Sequence, residues 1–231
     1  MTTLRSADME TYVPSGLSEA GSTSLIGQSS VWSKSGTNSC LVDTTGGAAQ
    51  AWLAGSLPAS TRMVVGRVHG RRAANTSGTM SWIQFTTATG GNIYFRWLTT
   101  GAMRLTMAST NTAGPTIALD TDYLLEFRLN TSANPWLVDW CVDGTDRTQG
   151  TLAVAAADIT ADNYGCITTV TFKNYIDDIL LTDQSGDYKL GAYVAPTTSY
   201  DPLGMMGIIG MNEHGIHVPQ QAKTPSGIYL A

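Results

Sequence analysis

Apolar and polar positions alternate with a period of two along most of this chain. Tyr123, Leu125, Phe127 and Leu129 alternate with Leu124, Glu126 and Arg128, and Met103, Leu105 and Met107 alternate with Arg104 and Thr106. Trp136, Val138, Trp140 and Val142 alternate in the same way with Leu137, Asp139 and Cys141. Successive side chains of a strand point to opposite sides, so each run predicts a strand with one face turned to a core. A slip of one residue in the strand around Phe127 would bury Glu126 and Arg128, which pins its register. Turn compositions punctuate these runs at Asp43 to Gly47, Ala88 to Asn92, Thr99 to Gly101 and Asp143-Gly144. The rhythm predicts on the order of twelve strands, with turns every ~8–12 residues, as in an all-β sandwich or barrel.

Other stretches are less regular. Val31-Trp32, Asn38 to Val42 and Ala48 to Leu53 read as the first short strands. From Met63 to His69, one face carries Met63, Val65, Arg67 and His69 and the other carries Val64, Gly66 and Val68, a strand with one ambiguous face. Asn92 to Leu98 places aromatic residues on both faces, and Cys166 to Phe172 and Tyr175 to Thr182 complete the set. Residues 1–30 lack a sustained period and are expected to be an N-terminal extended segment, with the sandwich at 31–183. Residues 184–231 break the rhythm with Gly, Pro and Tyr. Their apolar patch of Met205, Met206, Ile208, Ile209 and Met211, together with Tyr229, suits a C-terminal arm for assembly or anchoring better than a solvated tail. The glycines within the patch argue against a helix there.

Composition supports the strand reading. Only 13% of the 231 residues are charged, well below the roughly 25% of an average domain, and long surface helices normally carry many Glu, Lys and Arg. A net charge of -5 offers no field for phosphate backbones or anionic lipid, so neither nucleic acid nor membrane is an expected partner. No apolar run reaches the ~20 residues of a membrane helix, and the polar start lacks the apolar stretch of a signal peptide. A soluble chain that assembles in the cytoplasm is the expectation. Cys40, Cys141 and Cys166 are odd in number, have no Cys-x-x-Cys spacing and sit among apolar or β-forming neighbours, so buried free thiols are expected.

Catalytic chemistry finds little material. Glycoside hydrolysis needs two carboxylates flanking a cleft, yet Glu10, Glu19, Glu126 and Glu213 are scattered and no strand carries alternate acidic residues on one face. No Gly-x-Ser-x-Gly elbow occurs. No catalytic residue is assigned, and the chain is expected not to be an enzyme. For metals, His214 and His217 lack a second ligand cluster, so no metal site is assigned. Calcium is the one cofactor that loop carboxylates such as Asp143, Asp146 and Asp183 would suit. Asp177 and Asp178 are adjacent on a strand and point to opposite faces, so a structural bond to a neighbouring turn fits one of them better. The basic group Arg67, His69, Arg71 and Arg72 reads as a solvated strand end. Sugars stack on aromatic rings flanked by polar groups. Of Trp32, Trp52, Trp82, Tyr94, Trp97, Trp136 and Trp140, the candidates selected for carbohydrate binding are Trp82, Tyr94, Trp97 and Trp136.

Several segments in order carry a family resemblance: Val31 to Ser39, the hairpin Trp97 to Leu105, Asp122 to Leu129, Val142 to Thr145 and the closing Tyr175-Ile176-Asp177-Asp178-Ile179-Leu180-Leu181-Thr182-Asp183. From about Trp32 to Asp183, the chain resembles the concanavalin A-like lectin/glucanase jelly roll, in the LamG-like form found in virion proteins of actinobacterial phages. The resemblance implies a two-sheet antiparallel jelly-roll sandwich and carbohydrate binding on a concave face or loop edge. The paired-metal strand of legume lectins and the catalytic carboxylate strand of glucanases are both missing. The expected role is a non-enzymatic virion protein, a minor tail or tail-tip component with a lectin-like domain for host cell-wall glycan. It would form a homotrimer or other homo-oligomer among other virion proteins on the tail or capsid exterior. The alternative is a capsid-surface decoration protein that uses the same fold to cement neighbouring subunits.

Overall fold

Strands with one apolar side are stable only when those sides face one another, and this protein achieves that with two stacked antiparallel sheets. The computed structural model describes residues 2–183. The first sheet runs in the order β13 (Thr145–Leu152), β12 (Trp136–Val142), β11 (Asp122–Asn130), β6 (Met63–Ala74), β15 (Lys173–Thr182), β4 (Ser39–Asp43) and β3 (Ile26–Ser29), with β1 (Thr3–Ala7) also paired to β15. The second runs β10 (Thr110–Thr116), β9 (Ala102–Met107), β8 (Asn92–Trp97), β7 (Met80–Thr87), β14 (Ile159–Val170), β5 (Ala49–Ser56) and β2 (Leu17–Gly21). Together they form an all-β sandwich of jelly-roll type.

Aromatic rings from both sheets fill the space between them. Phe127 on β11 lies 5.3 Å from Phe85 and 5.2 Å from Phe95 between ring centroids, and Tyr123 lies 5.4 Å from Trp82 and 5.2 Å from Trp97. Room for these rings comes from glycines on the inner face of β6. A Cβ on Gly66 would stand 2.5 Å from the Phe127 ring, and one on Gly70 would stand 2.4 Å from the Tyr123 hydroxyl. The side of β6 that carries Val64, Gly66 and Val68 is therefore a core face with part of its bulk supplied by its neighbour. Trp82, Trp97 and Trp136 are all sealed in this core. Around Trp82 the β7–β8 register shifts by one residue, a bulge that leaves Trp82 and Ile83 both buried and removes the alternation a regular strand would show. The three cysteines are buried and form no disulfide with one another.

The first thirty residues do not form a separate extended segment. They supply β1 and β3 to the first sheet and β2 to the second. These strands escaped the periodicity because they are short and their polar residues find partners inside: Arg5 on β1 is buried against Asp162 on β14. Val31-Trp32 is not a strand but begins a loop, residues 30–38, in which Val31 is exposed and Trp32 packs its ring 6.2 Å from that of Tyr175. The strand β10 was missed because its sequence, with Gly114 and Pro115, lacks alternation; as an edge strand it tolerates a residue without an N–H. The expected C-terminal arm, with Met205, Met206, Ile208, Ile209, Met211 and Tyr229, lies outside the described residues.

Candidate functional site

Alternation leaves the outer face of the second sheet polar and open. On β8, Ile93, Phe95 and Trp97 point inward while Asn92, Tyr94 and Arg96 are half-buried on the outer side. Register pairing then aligns a row across five strands: Asn111 opposite Thr106, Thr106 opposite Tyr94, Tyr94 opposite Gln84, and Gln84 opposite Asn163. One step along, Ala113, Arg104, Arg96 and Ser81 form a parallel row. Tyr94 is the ring at the centre. Its hydroxyl accepts a hydrogen bond from the Asn92 amide at 2.9 Å, and the Arg96 guanidinium lies over its ring at 4.3 Å from the centroid. Burial lowers the Arg96 pKa from its ordinary value, and the Arg104 charge acts in the same direction.

A second ring stands on the same face. Trp52 on β5 pairs with Gly165 on β14 and is half-buried. Gly165 adopts a φ of +138°, and a Cβ there would stand 2.9 Å from the Trp52 backbone, so only glycine permits this close approach. Tyr94 and Trp52 stand three inter-strand steps apart across the sheet, about 14 Å, with Trp52 two residues along β5 from the end of the Tyr94 row. Between them lie Gln84, Asn163 and Ala54, two amides and a small side chain. A flat polar floor with an aromatic ring near each end is suited to stacking on sugar rings and hydrogen bonding to their hydroxyls.

The other chemistry-bearing cluster, on the first sheet, is built for holding the fold together. Along one edge of β15, β4 pairs with Lys173 to Ile176 and β1 with Ile179 to Thr182. Where one partner gives way to the other, Asp177 and Asp178 form a bulge against β6, with Asp178 at a φ of +48°. The bulge lets both carboxylates reach the 30–38 loop, which regular alternation would have prevented. Asp177 accepts hydrogen bonds from the backbone N–H of Lys34 at 2.7 Å and of Ser35 at 3.2 Å, and Asp178 accepts one from the Ser35 hydroxyl at 2.6 Å. Glu10 closes the far end of the same loop, accepting from the N–H groups of Thr37 at 2.8 Å and Asn38 at 2.9 Å.

Burial pushes the Asp177 carboxyl up to about 7, the nearby Asp178 adding to the rise against the backbone donors. Its partner position on β6, His69, is pushed down to about 4 by burial and by the charges of Lys34 and Arg67. A carboxyl raised in the folded state binds its proton more tightly there, so its contribution to stability is full below the unfolded pKa of ~3.9 and is lost as pH rises through about 7. His69 has the opposite sign, its contribution being lost as pH falls from ~6.5 through about 4. Asp177→Asn is therefore expected to remove a loss of stability between pH 4 and 7. Denaturant midpoints at a series of pH values should show the variant improving relative to the parent as pH rises. Parallel profiles would show that Asp177 does not titrate in this range.

Two cavities lie among the described residues. One of about 70 Å³ lies between Lys34, His69, Tyr123 and Asp143, too small for a sugar ring and large enough for a water or two. The other, about 450 Å³, is a groove around Leu4, Pro58, Thr61 and Arg62 without an aromatic ring. Its single arginine is already bonded to Asp158 at 2.6 Å.

Of the four sugar-binding candidates read from the sequence, only Tyr94 faces outward. Trp82, Trp97 and Trp136 are at most 1% exposed, and the Trp136 indole N–H is spent on the Ala155 carbonyl at 2.8 Å, so none offers a ring face to a ligand. Arg96, Arg104, Gln84 and Asn163 were missed as site residues, although strict alternation in Asn92 to Trp97 and Ala102 to Leu105 already assigned the two arginines to the outer face. The supposedly solvated basic group is also corrected: Arg67, His69 and Arg72 are buried, and Arg72 donates to the Ile117 carbonyl at 2.6 Å while stacking 5.1 Å above the Trp97 ring.

No family model matches this chain, and no curated protein matches it. Solved structures do match in fold. A cellulose-induced protein, Cip1, superposes with a TM-score of 0.59 at 15% identity, over 78% of this chain and 97% of that one. A carbohydrate esterase of the Shiga toxin-encoding bacteriophage phi24B gives 0.55 at 17% identity, over 78% and 97%. Domain 4 of an extracellular arabinanase from Geobacillus stearothermophilus, in complex with arabinotriose, gives 0.52 at 14% identity, over 78% and 91%.

Proposed function

We propose that this chain is a non-enzymatic carbohydrate-binding module of a phage virion, a minor tail or tail-tip protein that grips host cell-wall glycan through the outer face of its second sheet. The observation that carries it is the row Asn111, Thr106, Tyr94, Gln84 and Asn163, a line of hydrogen-bonding groups around a ring, on the side of the sheet opposite the core-facing Ile93, Phe95 and Trp97. Support for the ligand class comes from a neighbour in fold that was solved with an arabinotriose, and support for the phage setting from the LamG-like segments and from a neighbour of phage origin. On this proposal, the 184–231 arm and its methionine-rich patch hold the sandwich in an oligomer with other virion proteins.

The test is binding of the purified protein to isolated wall polysaccharide of actinobacterial cells, with a charge-matched protein as control. Saturable binding that free polysaccharide competes away is the expected result. Tyr94→Ala should weaken it by about tenfold, because loss of one stacked ring is worth on the order of 1–2 kcal/mol and Tyr94 is too exposed to support the core. Absence of binding, with many copies per particle, would replace this function with capsid decoration through protein contacts.

A further inference from the structure

Two arginines stand side by side on the open face. Arg96 on β8 and Arg104 on β9 are direct cross-strand partners, and like charges placed directly opposite each other destabilise a sheet. Neither forms an ion pair with a carboxylate among the described residues. Their register neighbours across the sheet, Ser81 and Ala113, are uncharged, and so are the outer-face residues Tyr94 and Thr106 next along their own strands. The Nε of each arginine is shielded from solvent yet has no hydrogen-bond partner in the protein. Chains with a mild acidic excess have carboxylates available to neutralise such a pair, yet the described strands β7 to β10 carry no aspartate or glutamate. Arg5, by contrast, is buried in a two-point ion pair with Asp162.

We infer that Arg96 and Arg104 form a seat for an anionic group carried by the bound glycan, so that the ligand is an acidic saccharide. The inference rests on the proposed glycan-binding function and specifies the substrate class. The Arg96 guanidinium stands over the Tyr94 ring, which holds it in place, and a guanidinium fork matches the two oxygens of a carboxylate or phosphate. A sugar stacked on Tyr94 thus presents its charged substituent toward β9. The like-charge contact, unfavourable in the free protein, is relieved when the anion arrives. Carboxylate and phosphate substituents share this chemistry and are separated by experiment.

The experiment compares polygalacturonate, its fully methyl-esterified neutral counterpart and poly(glycerol phosphate) as ligands of the full chain, measured by calorimetry at low and at raised salt. An acidic polymer should bind at least tenfold more tightly than the neutral one, and its affinity should fall with salt. Preference for polygalacturonate identifies a carboxylate, and preference for poly(glycerol phosphate) a phosphate; either supports the seat. Arg96→Gln and Arg104→Gln should each weaken binding of the acidic polymer about tenfold more than binding of the neutral one. Arg96→Lys should recover only part of the loss, because it restores charge without the fork. Unfolding midpoints of both Gln variants at or above the parent's would confirm that they fold. Equal binding of neutral and acidic polymers, or acidic binding that survives the double Gln variant, would overturn the acidic seat while leaving glycan binding intact. Failure of every saccharide to bind, including wall polysaccharide, would overturn both.

Discussion

Asp162→Ala is expected to destabilise the sandwich by about 3–5 kcal/mol, the cost of leaving a buried charge without its partner. Arg5 enters from β1 in the first sheet and meets Asp162 on β14 in the second, its Nε and Nη2 donating to the two carboxylate oxygens at 2.9 and 2.7 Å. The remaining guanidinium donors reach the carbonyls of Gly16 at 2.6 Å and Ser56 at 3.1 Å. Side-chain exposures of 5% and 0% leave no water to replace the lost carboxylate. Space is equally tight, since a Cβ on Gly55 would stand 2.1 Å from Nη2. The double replacement Arg5→Met with Asp162→Leu removes both charges and should be closer to the parent than Asp162→Ala alone. Denaturant unfolding measures all three proteins, and a single variant within about 1 kcal/mol of the parent would show that the pair is not the bolt between the sheets.

A loss of similar size, about 3–5 kcal/mol, is expected for Phe127→Ala, for a different reason. The ring is wholly buried where the sheets meet and touches Phe85 and Phe95 across the interface. Its nearest neighbour on β6, Gly66, has no side chain to move into the space, so the cavity persists. Gly66→Ala by itself should also destabilise, because the new methyl would press on Phe127 and on Leu181 at 2.6 Å. Combined with Phe127→Ala it should be less than additive, since one of the two clashes has gone while the Leu181 contact remains. Melting curves of the two single variants and the pair provide the check. An unchanged midpoint for Phe127→Ala would mean that β11 is paired in a different register.

The central strands were readable because each has one apolar and one polar side, as in Asp122–Asn130 and Ala102–Met107. What escaped notice was structure in which polar residues serve the interior. Leu4-Arg5-Ser6 has no apolar rhythm, yet Arg5 is core because Asp162 waits for it 157 positions away, a partnership that no local window contains. The aromatic residues show the same limit in reverse. Tryptophan reads equally as core or as platform; burial of Trp82 depended on a bulge and burial of Trp97 on the ring of Tyr123 from the other sheet. Tyr94 was recognisable from its place among Asn92 and Arg96 on the polar side of β8, whereas Gln84 and Asn163 joined it only through strand pairing. Asp177 and Asp178 converge because a bulge suspends the alternation that seemed to separate them.

The adjacency of β1 and β15 also governs when this fold can form. The Thr2 amide donates to the Asp183 carboxylate at 2.7 Å across 181 positions of sequence, and Thr3 pairs with Thr182. During synthesis, β1 has no β15 edge to join until that strand has followed it out of the ribosome, and Arg5 remains without its counter-ion until β14 emerges. The hairpins β7–β8–β9 and β11–β12–β13 can assemble early from nearby sequence, but closing the sandwich is the final event, with a large loop-closure cost. Such a topology places folding among the slow, millisecond-to-second cases, with unpaired strand edges exposed for the interval.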